Sequence, residues 1–526
     1  MEDHRQGFGG ICRFRSDTST ASSAVLQGVG EVIPKRILFC LWYNKEQKEK
    51  GSILYRNDEI MKKVILTGCY AIVFAVVAKD VHSECSAQDA YSRLWNVEVQ
   101  AQIDERIEKH RKADGEFEVS VPDGVDVKVE QVFHAFQFGS HIFNFDQLGR
   151  DDWNDLYKAT FTNLWNSATL PFYWKGMEPQ EGAPRYDAGP RDNAKFWNSV
   201  SGMSAEAKSQ FIEYRRPAPD PILDFCEANG ISPHGHVMIY APFHPPWTTN
   251  GVDAAALAKR YERRIRQLGA HYGARIPQWD VVNESVDRSC TMAGPFHDKV
   301  CWRRPNLLVP EDYTFRSHQW AEEAFPASVK FVVNDSWRDI YVPFVRTLIE
   351  RGAKIDVVGI QMHIFSAQHA RKIASGEPCL ANSTSWAPKD QIEMLKKLDT
   401  LGRPIHLSEI TIPAFDDSPE GWVAQAKIAR DNYRLWFSWP SIYRITWWNM
   451  VDYTYHKESL ASGLYTKDMK AKPVYHALDK LINHEWKTRL TAKAKGGKVS
   501  FRGFKGRYRL SWKNTDGKER FVFVEL

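Results

Sequence analysis

Eight short apolar runs that alternate with stretches of helical periodicity constrain the fold of this chain more than any other feature of its sequence. The runs read FGSHIF (138–143), ATLPFY (168–173), HGHVMIY (234–240), QWDVVNE (278–284), KFVVND (330–335), DVVGIQMH (356–363), PIHLSE (404–409) and RITWWN (444–449). The helical stretches include 219–229, 253–269, 339–352, 387–401 and 419–437. A continuously apolar strand is buried on both faces. Strands separated by helices pair in parallel, because a parallel pair needs a crossover long enough to hold a helix. Eight such units predict an α/β fold, a (β/α)8 or TIM barrel, over 137–487. The competing arrangement is an open doubly wound sheet, and the lack of a GxGxxG after the first strand weighs against it.

The flanks follow other rules. Residues 91–112 read as a charged helix. From 115 to 136 the apolar period becomes two on either side of a Pro-Asp-Gly turn, which predicts a β-hairpin. Helix and hairpin together form an N-terminal extension over 88–136. After a last helix at 473–485 the runs KVSFRGF, YRLSW and ERFVFVEL predict a small β appendage over 488–526.

Residues 1–60 show no sustained apolar period and read as a disordered or non-native extension. Met61-Lys62-Lys63 then precedes an apolar stretch at 64–78 and the small-residue segment Cys85-Ser86-Ala87. That is the form of a secretory signal over 61–87. The stretch is shorter than the ~20 residues of a spanning helix. The expected outcome is export, to the outside or the periplasm, as a monomer starting near Gln88 with no stable membrane insertion. A buried helix or a membrane anchor is the alternative. With 70 Lys and Arg against 65 Asp and Glu, spread without a dense basic block, no nucleic-acid partner is implied. In an exported chain Cys290 and Cys301 could form a disulfide in the loop after the fourth strand.

Barrels of this kind gather their reactive groups at the C-terminal strand ends. Those ends carry His236, Asn283, Glu284, Asn334, Asp335, Gln361, His363, Glu409 and Asn449. Glu284 and Glu409 each close an apolar run, where the interior meets solvent. A buried carboxylate is costly unless paired or hydrogen-bonded. Two that converge on one cleft suit glycoside hydrolysis: one protonates the leaving oxygen while the other, ionised, attacks or stabilises the anomeric carbon. His234-Gly235-His236 has a metal-like spacing, but no third and fourth ligand stand out. No metal or other cofactor is expected. Tryptophan is abundant, 19 of 526 residues, and its flat face suits cores and sugar rings alike.

The segment Trp279-Asp280-Val281-Val282-Asn283-Glu284 resembles the acid/base signature of glycoside hydrolase family 10, the retaining endo-β-1,4-xylanases. His406-Leu407-Ser408-Glu409-Ile410-Thr411 resembles its nucleophile strand. Gly235-His236, Asn334-Asp335 and Gly359-Ile360-Gln361-Met362-His363 resemble its third, fifth and sixth strands. Trp448 with Asp452, Gly463-Leu464-Tyr465 and Lys472-Pro473 resemble the region of the eighth. The likeness runs over about 135–485.

The resemblance implies that Glu284 is the general acid/base and Glu409 the nucleophile, with carboxyl groups ~5–5.5 Å apart. It implies that Asn283 binds the sugar 2-hydroxyl and that His363 bonds Glu409 and helps keep it ionised. His236 and Gln361 would contact the sugar. Asn334, Tyr240, Trp247, Trp448, Tyr173 and Trp174 are further substrate-binding candidates. A donor beside Glu409 is expected to lower its pKa, and an apolar wall beside Glu284 to raise its own.

Departures cluster on the glycone side. The family's strand-2 Glu, Asn and Lys correspond to Thr169, Leu170 and Tyr173. Its strand-3 Trp and His become Tyr240 and Ala241, its Asp after the nucleophile becomes Thr411, and its Trp after Asp452 becomes His456. A weak grip on the second glycone sugar is expected, which the changes Thr169→Glu, Leu170→Asn and Tyr173→Lys would repair. The substrate implied is xylan or a xylo-oligosaccharide. A glycanase for another short or decorated β-glycan, a non-catalytic carbohydrate-binding barrel and a metal hydrolase remain alternatives.

Overall fold

A computed structural model of the chain describes residues 90–203, 216–286, 308–454 and 460–526. The proposed extension and signal at 1–87, the Cys290–Cys301 pair and His456 lie outside the described residues. Strands β1 (Lys112–Glu118) and β2 (Asp126–His134) come first. They are followed by β3 (Gln137–His141), β4 (Ser167–Pro171), β5 (Ser232–His236), β6 (Gln278–Asn283), β7 (Lys330–Ser336) and β8 (Val357–His363). After a two-residue ladder of β9 (Leu380–Ala381) and β10 (Thr384–Ser385) come β11 (Ile405–Thr411) and β12 (Ile442–Trp447). Strands β3 to β8, β11 and β12 close into one parallel barrel. Each of the eight predicted strands is found within a few residues of its expected limits.

The barrel closes because its strands are buried throughout. All six residues of β6 and all seven of β8 and β11 are buried. Gly235 shows how tight the wall is: a Cβ there would lie 2.2 Å from the indole of Trp279 on the neighbouring strand, so only glycine fits. The helices Ala254–Tyr272 and Pro419–Ser438 cover the outside, the first capped by Asp253 and the second by Ser418. Among the described residues no helix is long and apolar enough to cross a membrane.

The N-terminal hairpin does not form. Strand β1 pairs antiparallel with β14 (Lys498–Phe504), from Lys112 opposite Phe504 to Glu118 opposite Lys498. Strand β2 lies between β13 (Arg489–Lys493) and β15 (Gly506–Lys513), and β15 also carries β16 (Glu519–Glu525). The Pro122-Asp123-Gly124 turn is present, with Gly124 at φ 84°, but it leads from one sheet to the other. The extension and the appendage are therefore one two-sheet unit around Val127, Val129, Val499, Phe501, Tyr508 and Leu510. An isolated hairpin is marginal in water, whereas the C-terminal strands offer each N-terminal strand an apolar face and a partner.

The charged N-terminal helix is interrupted: residues 90–94 are helical, and after a break at Asn96 a second helix runs Val97–Arg111, capped by Asn96, which accepts a hydrogen bond from the Val99 N–H at 2.9 Å. Its Arg111 guanidinium donates to the carbonyls of Phe437, Trp439 and Ile442, closing the C-terminal end of the last long barrel helix.

Candidate active site

Strand geometry brings the two carboxylates together. Glu284 follows β6 directly. Its N–H donates to the Asn334 carbonyl at 2.8 Å, and its backbone is left-handed at φ 51°, an uncommon conformation for a residue with a Cβ. The Asp335 carboxylate accepts from the Val286 N–H at 2.9 Å and so anchors the chain just beyond. Glu409 lies on β11, where the pairing with β8 shifts by one residue between Leu407 and Glu409. That bulge brings two consecutive residues onto one partner: the Ser408 hydroxyl donates to the Asn334 Oδ1, and the Asn334 Nδ2 donates to Glu409 at 2.8 Å.

Gln361, on β8, links both carboxylates. Its Nε2 donates to Glu409 Oε1 at 3.0 Å, to Glu284 Oε1 at 3.4 Å and to Asn283 Oδ1 at 3.3 Å. Two oxygens that share a donor at 3.4 and 3.0 Å cannot lie farther apart than those lengths end to end. That bound, which holds for the two nearest oxygens, admits the ~5–5.5 Å separation of retaining carboxyl groups. Asn283 Oδ1 also accepts from Asn334 Nδ2 at 2.9 Å. On the far side of Glu284, the Tyr240 hydroxyl donates to Oε2 at 2.8 Å.

The electrostatics correct one expectation. His363 Nε2 is 3.1 Å from Glu409 Oε2, as the resemblance implies, and its Nδ1 is 2.7 Å from the Thr411 hydroxyl. Even so, Glu409 is not held low. Burial pushes its pKa up to about 8, against the pull of His236; the charges of Glu284 and Asp280 add to the rise, and the Asn334 bond opposes it. Donors stabilise the anion, but a fully enclosed carboxylate with a second one nearby loses more by desolvation and repulsion.

Below the carboxylates, Asp280 Oδ2 bonds His236 Nδ1 at 2.7 Å and His234 Nε2 at 2.8 Å. Burial disfavours the charge on His236, but Asp280, Glu409 and Glu284 outweigh it and raise its pKa. Burial also works against the Asp280 anion, yet the two imidazoles hold Asp280 well below the usual carboxylate range. The His-x-His spacing thus serves one aspartate, and among the described residues no group of three His, Cys, Asp or Glu is arranged to hold a metal ion.

The aromatic candidates divide. Trp448 and Tyr173 join Phe143 in a buried cluster, with Tyr240 packed against it. Trp448 meets His236 and His363 edge-on, with centroids at 5.5 and 6.1 Å, and the Tyr173 hydroxyl is 3.1 Å from His236 Nε2. Trp174 and Trp247 pack on each other instead, and both bond Glu178: Trp174 Nε1 to its carboxylate at 2.7 Å, Trp247 Nε1 to its carbonyl at 3.0 Å. Arg260 and Arg263 lie over the Trp247 ring. Neither indole enters the hydrogen-bond network of the carboxylates.

The strand-2 reading needs revision. Thr169 and Leu170 lie within β4, 2% and 0% exposed, and Leu170 belongs to the main apolar core; only Tyr173 stands with the site residues. Leu170→Asn would place an amide in that core and is expected to cost ~2–5 kcal/mol, read as a lowered midpoint of urea unfolding. An unchanged midpoint would refute the placement. Sequence reasoning also missed Asp280 as the anchor of His236, although it sits inside the motif that drew attention to Glu284. Two side chains on alternate positions of β5, both histidines, were the available signal.

Comparison with known proteins agrees with this geometry. The profile of Glycosyl hydrolase family 10 matches residues 192–481, more than half of the chain. The chain is 24% identical over 291 residues to endo-1,4-beta-xylanase A of Thermotoga neapolitana, covering 51% of this chain and 25% of that protein. It is 22% identical over 414 residues to endo-1,4-beta-xylanase 2 of Arabidopsis thaliana, covering 76% of this chain and 32% of that one. The matched part thus spans about a quarter to a third of those relatives. The crystal structure of xylanase 10B from Thermotoga petrophila RKU-1 in complex with xylobiose superposes with a TM-score of 0.49 at 19% identity, over 67% of this chain and 95% of that one. The family match begins after β4, the strand where the departures concentrate, and takes in both carboxylates, so the chain belongs to glycosyl hydrolase family 10.

Proposed function

We propose that the chain is a retaining glycoside hydrolase that cleaves β-1,4-linked xylan or xylo-oligosaccharides by double displacement. The observation that carries the reading is the Gln361 amide, which bonds both Glu284 and Glu409. Glu409 attacks the anomeric carbon while Glu284 gives its proton to the leaving oxygen, breaking the glycosidic bond. Glu284 then takes a proton from water, whose oxygen displaces Glu409 and frees the sugar. The raised pKa of Glu409 in the free site opposes the ionised form that attacks. Positive charge developing on the sugar ring above it compensates the buried anion, and Asn334, Gln361 and His363 are already aimed at its oxygens. Asn283 uses its Oδ1 within the protein, and its Nδ2 group has no protein partner among the described residues, which suits a sugar hydroxyl. The xylanase names of the relatives support the choice of glycan.

A second reading, a short or decorated β-glycan, is favoured by the burial of Thr169 and Leu170, which offer no polar grip at β4. A polysaccharide panel with reducing-sugar readout separates the two. NMR of the first product tests the mechanism: a β-anomer is expected, and an initial α-anomer would rule out retention. Export is also proposed, on the Met61-Lys62-Lys63 pattern and the apolar stretch after it. N-terminal sequencing of secreted protein near Gln88 would support it.

A further inference from the structure

We propose that the outer face of the four-stranded sheet of β13, β2, β15 and β16 is an accessory binding site for an acidic β-glycan, a xylan chain bearing uronate side groups. The inference rests on the glycan reading of the active site but concerns a separate surface. Only residues 135–136 link β2 to the start of β3, so the sheet joins the barrel at the N-terminal ends of its strands, whereas Glu284 and Glu409 stand towards the C-terminal ends.

Alternation along the strands sets the face. On β2, Val127 and Val129 turn into the core of the two-sheet unit, while Asp126, Lys128 and Glu130 turn out. The ladders carry that division across the sheet. Lys128 lies opposite Thr491 on β13 and opposite Ser511 on β15, and Ser511 lies opposite Phe521 on β16. Residues directly opposite one another share a face, so Thr491, Lys128, Ser511 and Phe521 form one row over all four strands on the outer side.

An open groove of about 640 Å³ lies along this row, with Thr491, Lys128, Ser511 and Lys513 in its lining. That is within the ~300–1,000 Å³ of ligand sites. Ser511 lies deepest: it is 2% exposed, and its hydroxyl has no hydrogen-bond partner among the described residues. Phe521 stands beside Ser511 on the edge strand, 55% exposed, with the Arg509 guanidinium 4.7 Å from its ring. A large apolar ring left this exposed beside unused hydroxyls matches a sugar, which has an apolar ring face and a polar rim.

Charge decides which glycan. Asp126 pairs with Lys493 at 2.7 Å. Glu519 is opposite Lys513 in the ladder but pairs with Arg509 at 3.4 Å, and Arg509 is also 3.9 Å from Glu130. Lys128 and Lys513 have no carboxylate partner among the described residues. The face therefore sets Lys128, Lys493, Lys513 and Arg509 against Asp126, Glu130 and Glu519, and the two unpaired ammonium groups both line the groove. A neutral glycan would leave both lysines unused. A nucleic acid needs a densely basic track, which three carboxylates on the same face oppose. A chain of sugars with a carboxylate at intervals uses the hydroxyls, the ring and the lysines together. Bound there, a long polymer stays with the enzyme without filling the catalytic cleft.

The test is the pair Lys128→Gln and Lys513→Gln in the full chain, combined with Glu409→Ala so that the polymer is not cut. Affinity electrophoresis is run in gels holding glucuronoxylan, or the same polymer with its carboxyl groups reduced to alcohols. Both lysines are exposed, and equal urea midpoints check that the fold is kept. Affinity for glucuronoxylan is expected to fall about fivefold at low salt, and the difference to vanish near ~1 M salt. The reduced polymer should bind parent and variant alike, and Lys128→Arg with Lys513→Arg should keep the affinity. Unchanged affinity for glucuronoxylan, or an equal loss on both polymers, overturns the proposal. So does lysine-dependent binding of DNA without lysine-dependent binding of glucuronoxylan. With Glu409 intact, the glutamine pair should leave kcat/KM on an aryl β-xyloside unchanged, and a loss there would place the lysines in the cleft and refute a separate site. A wild type that cleaves no β-xyloside yet holds glucuronoxylan through the lysines would sink the catalytic reading and keep the groove. An active wild type whose binding ignores the lysines would sink the groove alone.

Discussion

Glu409→Ala is expected to abolish turnover, with kcat reduced by about 10⁴-fold or more, because no covalent glycosyl intermediate can form without the carboxylate. The loss should be the same for good and poor leaving groups, since the missing step is attack on carbon and not protonation. Steady-state rates on two aryl β-xylosides of different leaving-group acidity check this. Residual activity within a hundredfold of wild type would remove Glu409 from the nucleophile role. The neutral variant Glu409→Gln has a second consequence. Burial raises the Glu409 pKa from its ordinary 4.5 to about 8. The folded state then holds a proton that the unfolded state releases between those values, so stability falls as pH rises from about 4.5 to 8. Glutamine does not titrate. Glu409→Gln is therefore expected to raise Tm, by at least ~2 °C at pH 7, and the gain should grow across that window and shrink towards pH 4.5. A gain independent of pH, or a lowered Tm at pH 7, would contradict the burial argument. Activity lost and stability gained in one substitution is what a strained reactive site predicts.

The parts of this protein that were readable in the sequence are those fixed by local pattern. Barrel strands announce themselves because they are buried on both faces and carry short apolar runs, such as VVGI at the start of β8. Site residues were readable where they fall at a strand end: Asn283, Glu284, Gln361, His363 and Glu409 all do so, and the structure joins them in one hydrogen-bond network. Three things were not readable. The partner of β1 lies nearly 400 residues away in β14, and nothing near Lys112 points to Phe504. The direction of the Glu409 shift depends on how completely the folded chain excludes solvent, which the presence of donors in the sequence does not reveal. Whether a residue faces the cleft or the helices depends on register, and one position along β4 decides it: Leu170 looks like a mouth residue by spacing and is core by contact. The contacts of Trp174 and Trp247 depend on the fold in the same way: one follows β4 and the other follows β5, and both indoles bond Glu178.

Glu284→Ala is expected to leave Glu409 able to attack but to remove both the acid of the first step and the base of the second. Substrates with poor leaving groups should lose about 10³-fold or more in kcat/KM, since general acid catalysis contributes ~10²–10⁴. Those with good leaving groups should keep a near-normal first step, because a stable phenolate needs no proton, and should then stall as the glycosyl-enzyme. Added azide should release that intermediate. Its nitrogen attacks the anomeric carbon from the face that Glu284 vacated, the bond to Glu409 breaks, and a β-glycosyl azide forms with no base required. The substitution is structurally quiet at the backbone: alanine, like glutamate, carries a Cβ through the left-handed conformation at φ 51°, so it neither adds nor relieves that strain. Among the contacts it removes are the bond from Tyr240 and the long contact from Gln361, both made to the side chain. The measurement is a comparison of poor and good leaving groups with and without azide, and identification of the product anomer by NMR. Equal losses for both classes with no azide product would reverse or void the assignment of Glu284, while an α-azide would mean that no intermediate on Glu409 had formed.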